Sequence, residues 1–367
     1  MSRIKLLVPV LPAHGDVAPF LEEIDANRWY TNFGPLARRF EAALGAALHV
    51  PAEAVCSVAN CTVGLEMALA AMNLPTGARV LVPSLTFIAT AAAILRAGFH
   101  PVIADVDPRT WTLTPDIARD ALGRGRVDCV MPVAAFGCPV PVADWDAFAE
   151  ATGLPVLIDA AGAFGNQSVG RRAAVVFSFH ATKTLGIGEG GAVVSTDEAL
   201  VERVRRLSNF GIDVSSGFSM AVGTNGKLSE YHAATGLAAL ALWPGNAEQR
   251  RKLHRDYRAL LARACPDLVH QVRPDDGVYS ILQVCLPRAN NAHVADQLAQ
   301  QGIETRRWYL PLLTDHPAFA HCPVQGELPN ARRLSGRLLG LPFHLDLGEA
   351  QLLEVARALA AAMEMPE

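Results

Sequence analysis

The sequence of 367 residues lacks the marks of several common protein classes. Its seven cysteines include no C-x-x-C pair and its eleven histidines no H-E-x-x-H pattern, so neither a metal site nor a disulfide framework is predicted. Its longest apolar run, 87–95, is about half a membrane span, and Pro9 interrupts the start before a signal peptide could form. We therefore expect a soluble protein of the cytoplasm that binds no metal and enters no membrane.

Charge of a single sign is also scarce. The formal net charge is −4 without long basic or acidic runs, which argues against nucleic acid as a partner. Lysine is scarcer still, because 28 of the 32 basic residues are arginine. The four lysines are Lys5, Lys183, Lys227 and Lys252. Apolar residues make up 51% of the chain, enough for a large core, and the length predicts two or three folding units.

Short β-branched runs alternate with alanine-rich helical stretches from about residue 54 to 195. Strands are predicted at 79–82, 101–104, 129–133 and 155–158, and helices at 62–72, 90–97, 116–122 and 144–152. Strands this apolar are buried on both faces, so the alternation predicts an α/β fold with a mainly parallel central sheet. Two further strands, 174–179 and 191–195, are joined by a glycine-rich connection without a helix.

The chain is predicted to divide into three regions. They are an N-terminal arm of loops and one helix (1–40), a large α/β domain (41–244) and a smaller C-terminal α+β domain (245–367). The second boundary is placed where Pro244 and Gly245 interrupt a long helical pattern over 228–261. The smaller domain is predicted to contain a strand at 279–284 and a final helix at 348–363.

Three segments put chemically useful groups where predicted strands end. Asp159 closes the run 155–158, Lys183 follows the strand at 174–179, and Thr62 starts a helix directly after a strand. Ligands of open α/β sheets bind outside the carboxyl ends of the strands. Each group alone fits a plain structural role, as a turn former, a surface charge or a helix cap. The glycines of 186–191 lead into a strand rather than a helix, which argues against a dinucleotide-binding loop.

Together, these groups match the needs of pyridoxal 5′-phosphate. Lysine, unlike arginine, loses its proton when desolvated and can attack a carbonyl, so Lys183 is the candidate for a Schiff base. Asp159 would face the pyridine nitrogen and favour its protonated form. The helix N-terminus at Thr62, with the hydroxyl of Ser178, would hold the phosphate.

Several stretches, in their order along the chain, resemble those of one family. They are W-Y-T-N-F-G-P at 29–35, P-S-L-T-F-I-A-T at 83–90, S-F-H-A-T-K at 178–183, G-E-G-G at 188–191 and G-T-N-G-K-L-S-E at 223–230. The chain thereby resembles the DegT-type sugar-nucleotide aminotransferases, members of the aspartate aminotransferase superfamily. The resemblance implies the three-layer fold of type I pyridoxal-phosphate enzymes, with a smaller C-terminal α+β domain.

The resemblance also implies roles for individual residues. Lys183 and Asp159 would be catalytic, and the cofactor-binding residues would be these two with Cys61, Thr62, Val63, Phe87, Ser178 and Asn225. Phe87 would stack on the cofactor ring, and Asn225 would reach the phosphate of the other subunit, which implies a homodimer with active sites at the interface. The substrate-binding residues would be Asn32, Phe33 and Tyr309. Two positions depart from the family, which usually has glutamine or histidine where this chain has Gly162 and glycine where it has Cys61.

The implied activity is transfer of an amino group from glutamate to a nucleotide-linked keto-deoxysugar. The substrate type favoured by the likeness is a dTDP-4-keto-6-deoxyhexose aminated at C-4, as in a dTDP-4-amino-4,6-dideoxyglucose transaminase of polysaccharide or antibiotic biosynthesis. Alternatives left open are a sugar dehydratase, a C-3 aminotransferase, an amino-acid lyase, a non-catalytic regulator and a structural subunit. Lys183 argues against the dehydratase, because that offshoot of the family has histidine there.

Overall fold

A computed structural model describes residues 3–365, so residues 1, 2, 366 and 367 of the two predicted terminal regions lie outside the described residues. The helices are α1 (His14–Asn27), α2 (Pro35–Leu48), α3 (Cys61–Ala71), α4 (Ile88–Arg96), α5 (Pro115–Leu122), α6 (Val142–Thr152), α7 (Glu198–Ser208), α8 (Glu230–Ala264), α9 (Asn291–Gln300), α10 (Pro329–Ser335) and α11 (Glu349–Glu364). The strands are β1 (Val55–Val58), β2 (Arg79–Pro83), β3 (His100–Ala104), β4 (Cys129–Val130), β5 (Leu157–Asp159), β6 (Ala174–Ser178), β7 (Gly191–Val194), β8 (Val269–His270), β9 (Leu282–Cys285) and β10 (Leu338–Leu341).

The central layer consists of seven strands in the order β1-β7-β6-β5-β4-β2-β3. Two hydrogen-bonded groups, β1-β7-β6-β5 and β3-β2-β4, are joined by parallel bridges from Val130 to Val156 and from Val133 to Asp159. β7 is antiparallel to both of its neighbours, and the other adjacent strands are parallel. The prediction of a mainly parallel sheet is confirmed. β7 can run antiparallel to β6 because the connection between them is a short hairpin instead of a helical crossover.

Helices pack on both faces of this sheet where small residues allow close approach. Gly64 of α3 lies directly on the sheet, since a Cβ there would be 3.0 Å from a methyl group of Val176. Gly236 of α8 leaves space for the ring of Phe40 from α2, since a Cβ at Gly236 would lie 2.6 Å from that ring. The buried Glu230 carboxylate accepts backbone N–H groups of Leu36 (2.8 Å) and Ala37, which caps α2. These contacts fix α2 and α8 against the layer that carries the candidate site.

The C-terminal part has its own antiparallel sheet, ordered β10-β9-β8, and its own apolar core beneath α9 and α11. Ile4 joins this core and forms a parallel bridge with Ile303, so the beginning of the predicted arm pairs with the other end of the chain. None of the helices in the described residues is both long and apolar enough to cross a membrane.

Two features of the sequence-based prediction were wrong. The predicted break at Pro244 is absent, because α8 runs through it as one helix of 35 residues. The lost hydrogen bond is tolerated where the helix is held by packing, and Trp243 lies against Gly165 and the ring of Phe164. The arm contains a second helix, α1, with Pro19 inside it, which the polar sequence did not suggest. The division into domains at 244 stays a prediction.

Candidate active site

Asp159 lies at the carboxyl end of β5, with 5% of its surface exposed. Its Oδ2 accepts the hydroxyl of Thr90 at 2.8 Å, and its Oδ1 accepts the backbone N–H of Ala161 at 3.1 Å. Burial raises the pKa of the Asp159 carboxyl, and these two hydrogen bonds and the Lys183 ammonium oppose the rise. The site therefore holds a buried acid whose charge is partly balanced and that can bind a cationic partner.

Lys183 lies in the hairpin that connects β6 and β7. The hairpin is closed by hydrogen bonds from Ala181 N–H to the Gly188 carbonyl (2.8 Å) and from Ile187 N–H to the Phe179 carbonyl (2.9 Å). The side chain of Lys183 is half-buried and has no ion pair within residues 3–365. Burial lowers the pKa of its amine, and the negative charges of Cys61, when ionised, and Asp159 oppose the drop. A lysine amine with a lowered pKa is a better nucleophile at neutral pH.

The start of α3 offers free hydrogen-bond donors. Asn60 caps the helix by accepting the backbone N–H of Val63 at 2.9 Å. The N–H groups of Cys61 and Thr62 have no acceptor in the part of the chain that the structure describes, as is usual for a first helical turn. Together with the helix dipole, they favour an anion such as phosphate.

Ser178 is brought to the same place through β7. It pairs in register with Gly191, and a Cβ at Gly191 would lie 2.8 Å from the backbone nitrogen of Cys61. The Ser178 side chain is buried, and its Oγ accepts the N–H of His180 at 3.3 Å. The end of β6, the start of β7 and the start of α3 therefore meet at one point.

Replacing Gly191 with alanine is expected to displace the start of α3, because the new methyl group has backbone on two sides. We expect pyridoxal phosphate to bind at least about tenfold more weakly and the free energy of unfolding to fall by about 1–3 kcal/mol. Gly245→Ala is the matched control, since nothing lies within 4 Å of its Cβ position and helix propensity favours alanine there. Cofactor titration and urea unfolding measure both effects; equal behaviour of the two variants contradicts the prediction.

Three aromatic rings lie together, and one of them, that of Tyr309, is near Asp159. The ring of Tyr309 stacks on that of Phe136, with centroids 5.0 Å apart, and lies 6.2 Å from the ring of Phe87. Burial and the negative charge of Asp159 raise the pKa of the Tyr309 hydroxyl, which places this tyrosine near the acid. Phe87 occupies the N-cap position of α4, three residues before Thr90, and is 57% exposed, so its face is free to cover a ligand.

The structure does not bring the other predicted residues to this group within one chain. Asn225 is exposed on the segment beside α3, where Gly226 accepts the N–H of Ala59 at 2.8 Å. The ring of Phe33 lies under the guanidinium of Arg205, at 5.2 Å, and neither it nor Asn32 contacts Asp159 or Lys183 in the described residues. Their predicted roles stay predictions.

Sequence reasoning missed Thr90, Thr86 and Phe136. The spacing T-x-x-x-T could have indicated two hydroxyls on one side of a helix start, but nothing in it pointed to Asp159. Gly162 is not required by the backbone, because a Cβ there would have its nearest neighbour, the nitrogen of Gly137, at 3.4 Å. The backbone at this position would therefore accept a side chain without a clash at its Cβ.

The residues present fit pyridoxal 5′-phosphate. Asp159 is a buried acid for a ring nitrogen, Lys183 an amine without an ion pair in residues 3–365 for an aldehyde, and the start of α3 a set of N–H donors for a phosphate. The similarity to solved structures defines the fold as that of a type I pyridoxal-phosphate aminotransferase.

Comparisons with known proteins identify one family within this class. The DegT/DnrJ/EryC1/StrS aminotransferase family matches residues 15–360. The chain belongs to this family. The predictions of the family, the type I fold and pyridoxal phosphate as cofactor are confirmed.

Two relatives and two solved structures illustrate the likeness. Protein Rv3402c of Mycobacterium tuberculosis is 34% identical over 99% of this chain and 90% of its own. The dTDP-4-amino-4,6-dideoxy-D-glucose transaminase of Escherichia coli is 29% identical over 99% of both. The structure of DesI in the presence of its TDP-sugar product is 32% identical, with a TM-score of 0.88 over 99% of this chain and 94% of DesI. DesV of S. venezuelae, in complex with a ketimine intermediate, is 28% identical, with a TM-score of 0.84 over all of both chains.

Proposed function

We propose that this protein transfers an amino group from glutamate to a nucleotide-linked keto-deoxysugar, a dTDP-4-keto-6-deoxyhexose aminated at C-4. The single observation that carries the proposal is that a buried Asp159 at the end of β5 and a half-buried Lys183 in the β6–β7 hairpin lie close enough for the charge of each to affect the pKa of the other. The sugar class is supported by the Escherichia coli transaminase and by DesI, whose structure was obtained with a TDP-sugar product.

Each residue has a distinct task in this reaction. When bound, pyridoxal phosphate supplies an aldehyde that accepts the amine and a ring that takes up electrons. The amine of Lys183 would move the proton, first as general base and then as general acid. Asp159 would hold a proton on the ring nitrogen. The N–H groups of Cys61 and Thr62 and the hydroxyl of Ser178 would hold the phosphate, whereas the N–H of Val63, also predicted to bind it, is already donated to Asn60. Phe87 and Tyr309 keep water from the reacting atoms.

The test is incubation of the purified protein with glutamate and a panel of keto-sugar nucleotides. We expect 2-oxoglutarate and one aminated sugar in equal amounts, with nitrogen located at C-4 by NMR. Amination at C-3 would identify the alternative aminotransferase. Loss of water from the sugar, release of free ammonia or no turnover with any member of the panel would contradict the proposed function.

We further propose that the protein is a homodimer with active sites shared between subunits. Supporting this, the segment 210–222 exposes several apolar side chains, and an exposed patch of this kind is typical of a protein interface. They are Phe210, Val214, Phe218, Met220 and Val222. Phe33 lines a cavity of about 240 Å³ with the first part of this segment, so the arm and the segment belong to one surface. A second copy would bring Asn225, Asn32 and Phe33 to its partner's site.

Mixing two inactive variants is expected to restore activity if sites are shared. In a mixed dimer of Lys183→Ala and Asn225→Ala subunits, one of the two sites keeps both residues. Co-refolding equal amounts should therefore return about a quarter of the wild-type activity at limiting pyridoxal phosphate. Light scattering checks that a dimer forms. The control is a mixture of Lys183→Ala and Lys252→Ala subunits, because it measures the activity of sites that are already intact in one of the two variants. No gain over the separate variants would contradict sharing.

A further inference from the structure

The structure assigns Thr90 and Thr86 as positioning residues that keep Asp159 ionised, a role that rests on the proposed function for its catalytic meaning. Thr90 Oγ1 lies 2.8 Å from Asp159 Oδ2, and Thr86 Oγ1 lies 2.8 Å from Thr90 Oγ1. All three side chains are at least 95% buried. They form one continuous chain of hydrogen bonds that ends on the acid.

The direction of these hydrogen bonds follows from the acid. An ionised carboxylate accepts only, so the Thr90 proton points to Asp159, and the Thr86 proton must then point to Thr90. Hydrogen bonds that run in one direction polarise each other, so Thr86 strengthens the bond that Thr90 donates. The two hydrogen bonds therefore favour the charged form of Asp159 and offset part of the cost of its burial.

Local structure explains how two threonines reach the end of β5. Thr86 precedes α4 and Thr90 lies in its first turn, four residues later, so both hydroxyls lie on one side of the helix. α4 follows β2, which is separated from β5 by β4 alone. The other groups around Asp159 are Lys183, Cys61 and Tyr309, and of these only Lys183 can offset its charge with a charge of its own.

The experiment compares Thr90→Val with Thr90→Ser. Valine keeps the shape and removes the donor, whereas serine keeps the donor and removes a methyl group. A charge-assisted hydrogen bond of this kind corresponds to about a 10- to 100-fold change in an equilibrium. We therefore expect Thr90→Val to bind pyridoxal phosphate about tenfold or more weakly at pH 7.5, Thr86→Val to show a smaller loss, and Thr90→Ser to bind like wild type.

A double-mutant cycle separates this role from simple packing. Asp159→Asn carries no charge for the threonine to support, so adding Thr90→Val to it should weaken cofactor binding little further. An undiminished loss in the double variant, or equal binding by Thr90→Val and wild type, would overturn the inference. Failure of wild type to bind the cofactor would instead contradict the proposed function.

Thermal unfolding of the cofactor-free variants tests the inference independently of the cofactor. Without the donor, the ionised form of Asp159 has a higher free energy in the folded state. The melting temperature of Thr90→Val should therefore fall relative to that of Thr90→Ser as pH rises from 5 to 8. Adding Asp159→Asn to both should remove this trend. A difference that stays constant with pH would mean that Thr90 serves packing alone, and the inference would be wrong.

Discussion

Replacing Lys183 with alanine is expected to reduce turnover by about four orders of magnitude, because the variant loses the group that moves the proton. The cofactor should still bind, since Asp159 and the start of α3 remain. Borohydride should no longer attach the cofactor covalently to the protein, and mass spectrometry of the reduced protein measures this directly.

Lys252→Ala is the matched control for this prediction. Lys252 is an exposed lysine in an i,i+4 ion pair with Asp256, so its removal should leave activity and borohydride labelling unchanged. The scarcity of lysine makes the result clear, because the chain offers four side-chain amines in all. Labelling of a lysine other than Lys183 in the wild-type protein would show that the assignment is incorrect.

Asp159→Asn is expected to have the second largest effect, a loss of about 100-fold or more in turnover, since a neutral amide cannot hold the proton on the ring nitrogen. In the cofactor-free wild type, burial raises the pKa of the Asp159 carboxyl, so the affinity for pyridoxal phosphate should begin to fall at a higher pH than for an ordinary aspartate. Cofactor titration of the two proteins across this pH range measures the difference, and identical acid limbs would contradict it.

The same shift makes a prediction for stability. A raised pKa in the folded state means that the folded protein binds this proton more tightly than the unfolded chain. Its contribution to stability is therefore full below the unfolded pKa and is lost as pH rises through the folded pKa. In the cofactor-free protein, the melting temperature of Asp159→Asn should therefore increase relative to that of wild type as pH rises. Parallel curves across this range would show that Asp159 ionises as it does in the unfolded chain.

The sequence predicted the sheet better than the connections. Strands such as β2 and β3 are apolar runs between turn residues, so their ends were predicted to within one residue. Pro244 was misread, because a local rule about proline could not include the packing of Trp243 that holds α8 together. A strand that is buried on both faces can be recognised from its own apolar residues. Whether a helix tolerates a proline depends on residues that are distant in the sequence.

The candidate site shows the same limit. Lys183 and Asp159 could be predicted as site residues because each lies at or after the end of a strand and has distinctive chemistry. Thr90 was not found, because its bond to Asp159 spans 69 residues and depends on where β4 and β2 lie in the sheet. A threonine in a helix has no signal of its own. The roles predicted for Phe33 and Asn225 require the proposed second subunit, so they stay predictions.

The unbroken course of α8 has a mechanical consequence. From Gly245 to Ala264 the helix extends about 30 Å, at 1.5 Å per residue. With the rest of the helix straight, each degree of bending at Pro244 would carry its far end by about 0.5 Å. One end of α8 packs on the central sheet and the other on the C-terminal core, so a bend at Pro244, where a backbone hydrogen bond is missing, would move that core relative to the sheet.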